Sequence, residues 1–359
     1  VRGDSGWDDV TFRTRLDATL AGFLDEQGDR LAPLGPDAER LLAEARTAVA
    51  GGKKFRAAFC HWGFRALATP ADDAEEHALL RACAALELLH ASALAHDDLM
   101  DASDTRRGRP ATHRAFEAQH RAAGWRGGPE QYGAAAAILL GDLLQAWADE
   151  LLRRSGFGWD RVGPALEVFD LCRTEVIAGQ FLDVSVQARA RADVDTAMTV
   201  LRYKSAKYSI ERPLHVGAAL AGGGPEQLAA LTAFGLPLGE AFQLRDDLLG
   251  VFGDPATTGK PAGDDLVEGK RTVLVALALD AASPADAALL DRSLGTPLSE
   301  PEVQRLREVI AAGGAHDQVE LVIGELADIA VAALDQADID PGARAVLRDL
   351  AAAVTQRVV

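Results

Sequence analysis

Tyrosine is nearly missing from this chain, three in 359 residues, and aromatics together reach only 6%. Alanine, leucine, glutamate and arginine dominate instead, so the sequence predicts an all-α protein rather than a sheet. Positive charge is also short: 37 Lys and Arg stand against 54 Asp and Glu, a net −17. That excludes non-specific nucleic-acid binding over the whole surface, which needs cations in excess, but not a small basic pocket. Cysteines are few and odd in number, Cys60, Cys83 and Cys172, each in an apolar helical context. A disulfide framework is therefore not expected, and reduced core thiols in a cytoplasmic protein are. No uninterrupted apolar run approaches the roughly 18 residues of a membrane span; "AAAAILLGDLLQAW" is broken by Gly141 and Asp142. The polar, acidic start "VRGDSGWDDV" does not read as a secretory leader.

What the chain does have is hydrophobic content of 48%, ample for a large core. Apolar residues at helical spacing begin near Phe12 and recur almost to the C-terminus. Breaks fall where Gly and Pro cluster, at 32–37, 124–133, 155–164, 221–227, 253–265 and 294–302. Ser299 with Pro301 and Glu302, and Asp340 with Pro341, read as helix starts. No break is linker-like, so the expectation is a polar tail over 1–10 and one helical domain over 11–359.

The segment "ALAHDDLMDASDTRRGRPATH" (93–113) concentrates charge at the end of an apolar helix. Asp97 and Asp101 lie at i and i+4, one above the other, with Asp98 alongside. A second pair, Asp246-Asp247 in "FQLRDDLLGVFGD", also follows an apolar run. Carboxylates without Cys or His partners suit Mg²⁺, which keeps several waters and bridges protein to substrate phosphates. Cations stand nearby: Lys53, Lys54 and Arg56 in "GGKKFR", Arg106 and Arg107, Lys204 in "RYKSAKY", Lys260 and Lys270. In an acidic protein these look like clamps for diphosphates. For Lys54, Lys207 and Arg109, surface salt bridges are an equal alternative.

These elements resemble, in order, those of the trans-polyprenyl diphosphate synthases, most closely bacterial geranylgeranyl diphosphate synthases. "GGKKFR", "ELLHASALAHDD", "DDLMDASDTRRGRP", "GDLL" (141–144), "GQFLD" (179–183), "KSA" (204–206) and "DDLLGVFGDPATTGKPAGDDLVEGKRT" carry the resemblance. Three positions depart from the family pattern. Ala57 stands for its usual Pro, Ser205 for its Thr, and Gly250 for the last Asp of the second DDxxD.

The resemblance implies a single large helical bundle of the isoprenoid synthase type with a central substrate tunnel, in a homodimer. It implies three Mg²⁺, two at Asp97 and Asp101 and one at Asp246, with Asp98 and Asp247 completing the metal-facing carboxylates. Arg106, Lys204 and Lys260 would bind the allylic diphosphate and Lys270 would join the substrate cations. Lys53, Arg56, His90 and Arg107 would grip isopentenyl diphosphate, and Gln180 and Asp183 would line the reaction centre. The chemistry implied is head-to-tail prenyl transfer. Ser92 and Ala93, small residues five and four positions before the first motif, leave the tunnel open where short-chain relatives carry an aromatic, and Leu89 is the next candidate floor. A C20 product is expected, with C15 or C25 and longer as alternatives. A class I terpene cyclase would need no second diphosphate site, and a regulatory subunit would tend to lose an aspartate motif.

Overall fold

The computed structural model describes residues 7–191, 193–254 and 263–356. Helix α1 (Asp9–Leu31) begins inside the expected tail. Asp8 caps it, its carboxylate accepting from the amides of Val10 and Thr11, and Trp7 packs on Phe12 and Trp62. The tail is thus shorter than its polarity suggested, because an N-cap aspartate satisfies free amides of the first turn.

After α2 (Pro36–Val49) and α3 (Phe55–Arg65) comes α4 (Asp73–Met100), the central helix. Asp72 caps it by accepting from the Glu75 amide, and Asp73, Glu75 and Glu76 fill its first turn, where the helix dipole favours acids. By length and composition α4 alone among the described residues could cross a membrane; its apolar window has mean hydropathy 1.4, but 78% of that window is buried in the protein. It is a core helix.

The chain then makes a two-residue hairpin, Thr105–Arg106 against Arg109–Pro110, with Arg106 paired to Arg109. Both turn residues, Arg107 (φ 53°) and Gly108 (φ 72°), are left-handed, as a tight two-residue hairpin turn requires. Then follow α5 (Thr112–Ala123), α6 (Pro129–Arg153), α7 (Trp159–Arg189) and α8 (Val194–Val200). An 11-residue π-helix (Leu201–Glu211) runs on into α9 (Arg212–Leu220), and α10 (Pro225–Phe252) comes next. The remainder is α11 (Asp264–Glu268), α12 (Val273–Ala281), α13 (Pro284–Ser293), α14 (Glu300–Ala312), α15 (Ala315–Gln336) and α16 (Pro341–Thr355). The fold is all-α, as its composition predicts.

Two apolar clusters hold it. The larger joins α1, α3, α4, α6, α7, α9 and α16; the smaller joins α8, α12, α14 and α15. Helix α10 belongs to both, giving Leu231, Phe234 and Leu238 to the first and Leu244, Leu248 and Val251 to the second. The clusters meet near its middle, and its last turns lie in the smaller one.

Helices α3 and α9 cross through paired glycines. A Cβ on Gly63 would overlap the Leu214 backbone, and one on Gly217 would overlap the Cys60 carbonyl. Neither neighbour is a side chain that could swing aside. Gly217→Ala should therefore lower unfolding free energy by about 3 kcal/mol or more, measured by denaturant titration; a loss under about 1 kcal/mol would show that the crossing relaxes.

Candidate active site

The end of α4 poses an electrostatic problem. Asp97, Asp98 and Asp101 crowd the C-terminal turn, where the helix dipole is already negative. The structure answers with cations from three other segments. Lys204, on the π-helix, stands 2.6 Å from Asp183 of α7 and 3.2 Å from Asp97. Lys270 lies 3.4 Å from Asp101 and contacts Glu268 more closely. Arg106, on the hairpin, clasps Asp98 through two nitrogens, with Nε 2.9 Å from Oδ1.

Asp98 is where structure and expectation part. Its carboxylate is buried and turned to Arg106, not toward the cavity. A residue one position from Asp97 points some 100° around the helix, so Asp98 positions Arg106. Asp97 and Asp101 behave as a pair. Burial alone would raise the pKa of Asp97, but Lys204, Lys270 and Arg106 hold it below the usual carboxylate range. For Asp101, burial and then the Asp97 charge push the pKa upward.

Asp97, Arg106, Asp183, Lys204 and Lys270 line a cavity of about 1180 Å³, whereas Asp98, Asp101 and Glu268 do not reach its wall. Its walls include Asp97, Gln180, Asp183, Lys204, Asp246, Asp247 and Lys270. Gln180 donates to Asp97 Oδ1 at 2.9 Å, and Gln243 to Asp247 Oδ1 at 2.8 Å. Burial first, and then Asp265 and Asp246, drive the Asp247 pKa well up. Lys260 lies outside the described residues.

Elsewhere on the same cavity stand Lys53, Arg56, His90 and Arg107. The glycine pair explains itself here. Gly51 (φ 70°) and Gly52 (φ 81°) take left-handed backbone, and a Cβ on Gly52 would come 3.0 Å from the Arg107 guanidinium, which donates to the Ala50 carbonyl at 2.8 Å. Arg56 donates to Ser209 Oγ at 2.7 Å and lies 4.2 Å above the Tyr208 ring, while its buried Nε has no hydrogen-bond partner. Tyr208 in turn meets His90 Nδ1 at 2.8 Å. Burial, then Arg56 and Arg107, lower the His90 pKa well below its ordinary value, so the ring is neutral at pH 7.

Three cations outside the predicted site sort themselves plainly. Lys54 is buried, giving its ammonium to the Val49 carbonyl at 2.6 Å beside Glu87. Lys207 pairs with Glu175 at 2.8 Å, and Arg109 is exposed on the hairpin.

The residues present fit divalent cations. The donors are hard carboxylates, and Asp101 Oδ2 is buried without a hydrogen bond. Among the described residues no three His, Cys, Asp or Glu side chains gather to hold an ion by themselves. That suits Mg²⁺, which takes one or two carboxylates and completes its shell with water and substrate phosphate.

Sequence reasoning assigned no role to Tyr208, Ser209, Glu175 and Glu268, which act by holding other residues; only Glu268 lies within a quoted family motif. It quoted "GQFLD" without the role of its glycine. A Cβ on Gly179 would overlap the Lys204 backbone, and one on Gly239 would come 2.5 Å from the Ala206 carbonyl, so α7 and α10 both press against the π-helix.

An all-α bundle whose central cavity opposes paired aspartates to basic side chains defines an enzyme of diphosphate chemistry. Residues 39–312 match the polyprenyl synthetase family. The structure superposes on a geranylgeranyl pyrophosphate synthase from Corynebacterium glutamicum, complexed with isoprenyl diphosphate and magnesium, at TM-score 0.95 and 43% identity, covering 98% of this chain and 100% of that one. A short chain isoprenyl diphosphate synthase from Methanothermobacter thermautotrophicus is 35% identical over 71% of this chain and 72% of its own. A geranylfarnesyl diphosphate synthase from Aeropyrum pernix is 34% identical over 76% and 79%. The chain belongs to the trans-polyprenyl diphosphate synthase family and is a prenyltransferase.

The close approach at Gly179 yields a test. Gly179→Ala should displace Lys204 and cut prenyl transfer about 100-fold, since displacements near 1 Å cost that much. Steady-state rates, with circular dichroism to confirm helicity, would check this; wild-type rates would mean that α7 yields instead.

Proposed function

We propose that this enzyme condenses isopentenyl diphosphate head-to-tail with an allylic diphosphate, dependent on Mg²⁺, with geranylgeranyl diphosphate (C20) as its main product. The observation that carries the two-substrate reading is the sorting of charge in one cavity. Asp97, Asp246, Asp247, Lys204 and Lys270 form one group there, and Lys53, Arg56, His90 and Arg107 another.

We assign three Mg²⁺ to the aspartate side, held by Asp97, Asp101 and Asp246 with Asp247 in support. Bound there, the ions supply the positive charge that stabilises a departing diphosphate. The chain's own cations share that work. Lys204, fixed by Asp183 and Asp97, and Arg106, fixed by Asp98, are oriented donors to the allylic diphosphate. Lys270 joins them, and Gln180, anchored on Asp97, lines the reacting centre. On the other side Arg56 offers its unsatisfied Nε, and Arg107, Lys53 and His90 complete the cradle for isopentenyl diphosphate. Breaking the allylic C1–O bond releases pyrophosphate. The isopentenyl double bond then attacks C1, and the adduct loses one proton to restore an alkene.

Chain length follows from the tunnel wall. Leu89, Ser92 and Ala93 all line the cavity on α4, and both positions nearest Asp97 carry small side chains. That supports room for a product longer than C15, with C25 as the second reading. We further take the enzyme to be a cytoplasmic homodimer. Exposed Leu139 on α6 and Leu171 on α7, both off the cavity wall, support an interface, and three free buried thiols suit a reducing compartment.

Purified protein with Mg²⁺, labelled isopentenyl diphosphate and farnesyl diphosphate should give C20, read by chromatography, and EDTA should abolish it. Absence of elongation from dimethylallyl, geranyl and farnesyl primers alike would reject the reading. Ala93→Phe should shorten the main product to C15, since the ring fills the channel one turn below Asp97. An unchanged distribution would remove Ala93 from the tunnel wall.

A further inference from the structure

A neutral histidine carries one ring proton, and its place decides what His90 offers a diphosphate. With the proton on Nε2 the ring donates to a phosphate oxygen through that atom; with it on Nδ1, Nε2 turns a lone pair toward the same anion. The structure supplies the partners that decide between them. Nδ1 lies 2.8 Å from the Tyr208 hydroxyl. Nε2, across the ring, has no hydrogen-bond partner in the protein and stays accessible on the cavity wall, where His90 is half-buried.

The needs of Tyr208 fix the direction of that hydrogen bond. The residue is only 4% exposed, and the contact with His90 is the one hydrogen bond its hydroxyl makes among the described residues. Burial pushes the Tyr208 pKa up, so the hydroxyl keeps its proton at pH 7. Were Nδ1 protonated and donating, the phenolic hydrogen would be left buried without an acceptor, and buried polar groups are ordinarily satisfied. Donation from the hydroxyl to Nδ1 leaves no such orphan. Burial, and then Arg56 and Arg107, keep the ring neutral, so its single proton then belongs on Nε2. The Tyr208 ring has a second task, because the Arg56 guanidinium lies 4.2 Å above it while donating to the adjacent Ser209 at 2.7 Å.

We propose that the Tyr208 hydroxyl donates to His90 Nδ1 and thereby fixes His90 as the Nε2–H tautomer, a neutral donor presented to the diphosphate of isopentenyl diphosphate. Tyr208 is a positioning residue that acts through His90 and, by its ring, through Arg56. The π-helix thus serves both groups of the cavity, Lys204 for one and Tyr208 for the other. The inference rests on the reading of Lys53, Arg56, His90 and Arg107 as the isopentenyl diphosphate cradle.

Nitrogen NMR of the full chain, labelled at histidine and free of substrate, tests the tautomer at pH 7, since protonated and bare ring nitrogens resonate far apart. The His90 signals, identified by their loss in His90→Ala, should show the proton on Nε2 and a bare Nδ1. A proton on Nδ1, or on both nitrogens, would overturn the proposal. Tyr208→Phe keeps a ring beneath Arg56 and removes only the hydroxyl. Its KM for isopentenyl diphosphate should rise about 5-fold, the worth of one neutral hydrogen bond, while its KM for farnesyl diphosphate stays within twofold. An unchanged KM for isopentenyl diphosphate would overturn the proposal, and so would an equal rise for both substrates, which would make the hydroxyl a support of the fold alone. If Tyr208→Phe fails to fold, the wild-type spectrum still decides. If the wild-type protein elongates no primer, the isopentenyl diphosphate reading fails instead, and the substrate-free spectrum tells the two failures apart.

Discussion

One ammonium between two carboxylates organises this enzyme. Lys204 reaches Asp183 on α7 and Asp97 on α4 from a third element, the π-helix, and so ties three segments at one point. Burying charge is costly, and removing one member of such a group leaves an unpaired charge worth about 3–5 kcal/mol of destabilisation. The acids at the end of α4 are tolerable only because Lys204, Lys270 and Arg106 come to them from distant parts of the sequence. Fold and site therefore impose the same requirement. The helices must bring cations to that helix end, and the cavity forms where they do.

Close packing makes that delivery accurate. Gly179 on α7 and Gly239 on α10 let both helices press directly on the π-helix backbone at Lys204 and Ala206. A π-helix is rare and is a frequent companion of functional sites. This one also carries a second anchor, with Lys207 and Arg212 both fixed on Glu175 at 2.7–2.8 Å. Lys207 is held to one carboxylate while Lys204, three residues earlier, is held to others. The two tethers set the register in which Lys204 meets the cavity.

Much of this was legible from residue order. The all-α class followed from composition, and the starts at Ser299 and Asp340 were read from their caps, which the structure shows at Glu300 and Pro341. The break expected over 155–164 was only half right, because α7 begins at Trp159 and runs through Pro164. That proline is the sixth residue of the helix, so α7 forgoes the hydrogen bond an amide there would give the Asp160 carbonyl. Asp98 illustrates the limit of motif reading. Three acids at 97, 98 and 101 look equivalent in sequence, yet helix geometry turns the middle one to Arg106. Tyr208 and Glu175 were invisible for a different reason. Each acts by holding a neighbour distant in sequence, and no spacing rule signals such contacts.

On the proposed reading, the charge sorting would also explain how one enzyme treats two diphosphates differently. Around the aspartate motifs, Asp97, Asp101, Asp246 and Asp247 outnumber Lys204 and Lys270, so a substrate diphosphate adds negative charge to a region already in deficit. Such a region would need metal cations to accept it, and bound metal cations would favour loss of the diphosphate. Elsewhere on the cavity wall Lys53, Arg56 and Arg107 stand with Glu87 and His90. A diphosphate there is balanced by side chains alone. Donors fixed in place can bind it without stabilising it as a leaving group more than as a substituent, which is uniform binding rather than catalysis. On the proposed reading the same anion would be activated beside the acids and only held beside the bases, and the difference lies in which of them were folded next to it.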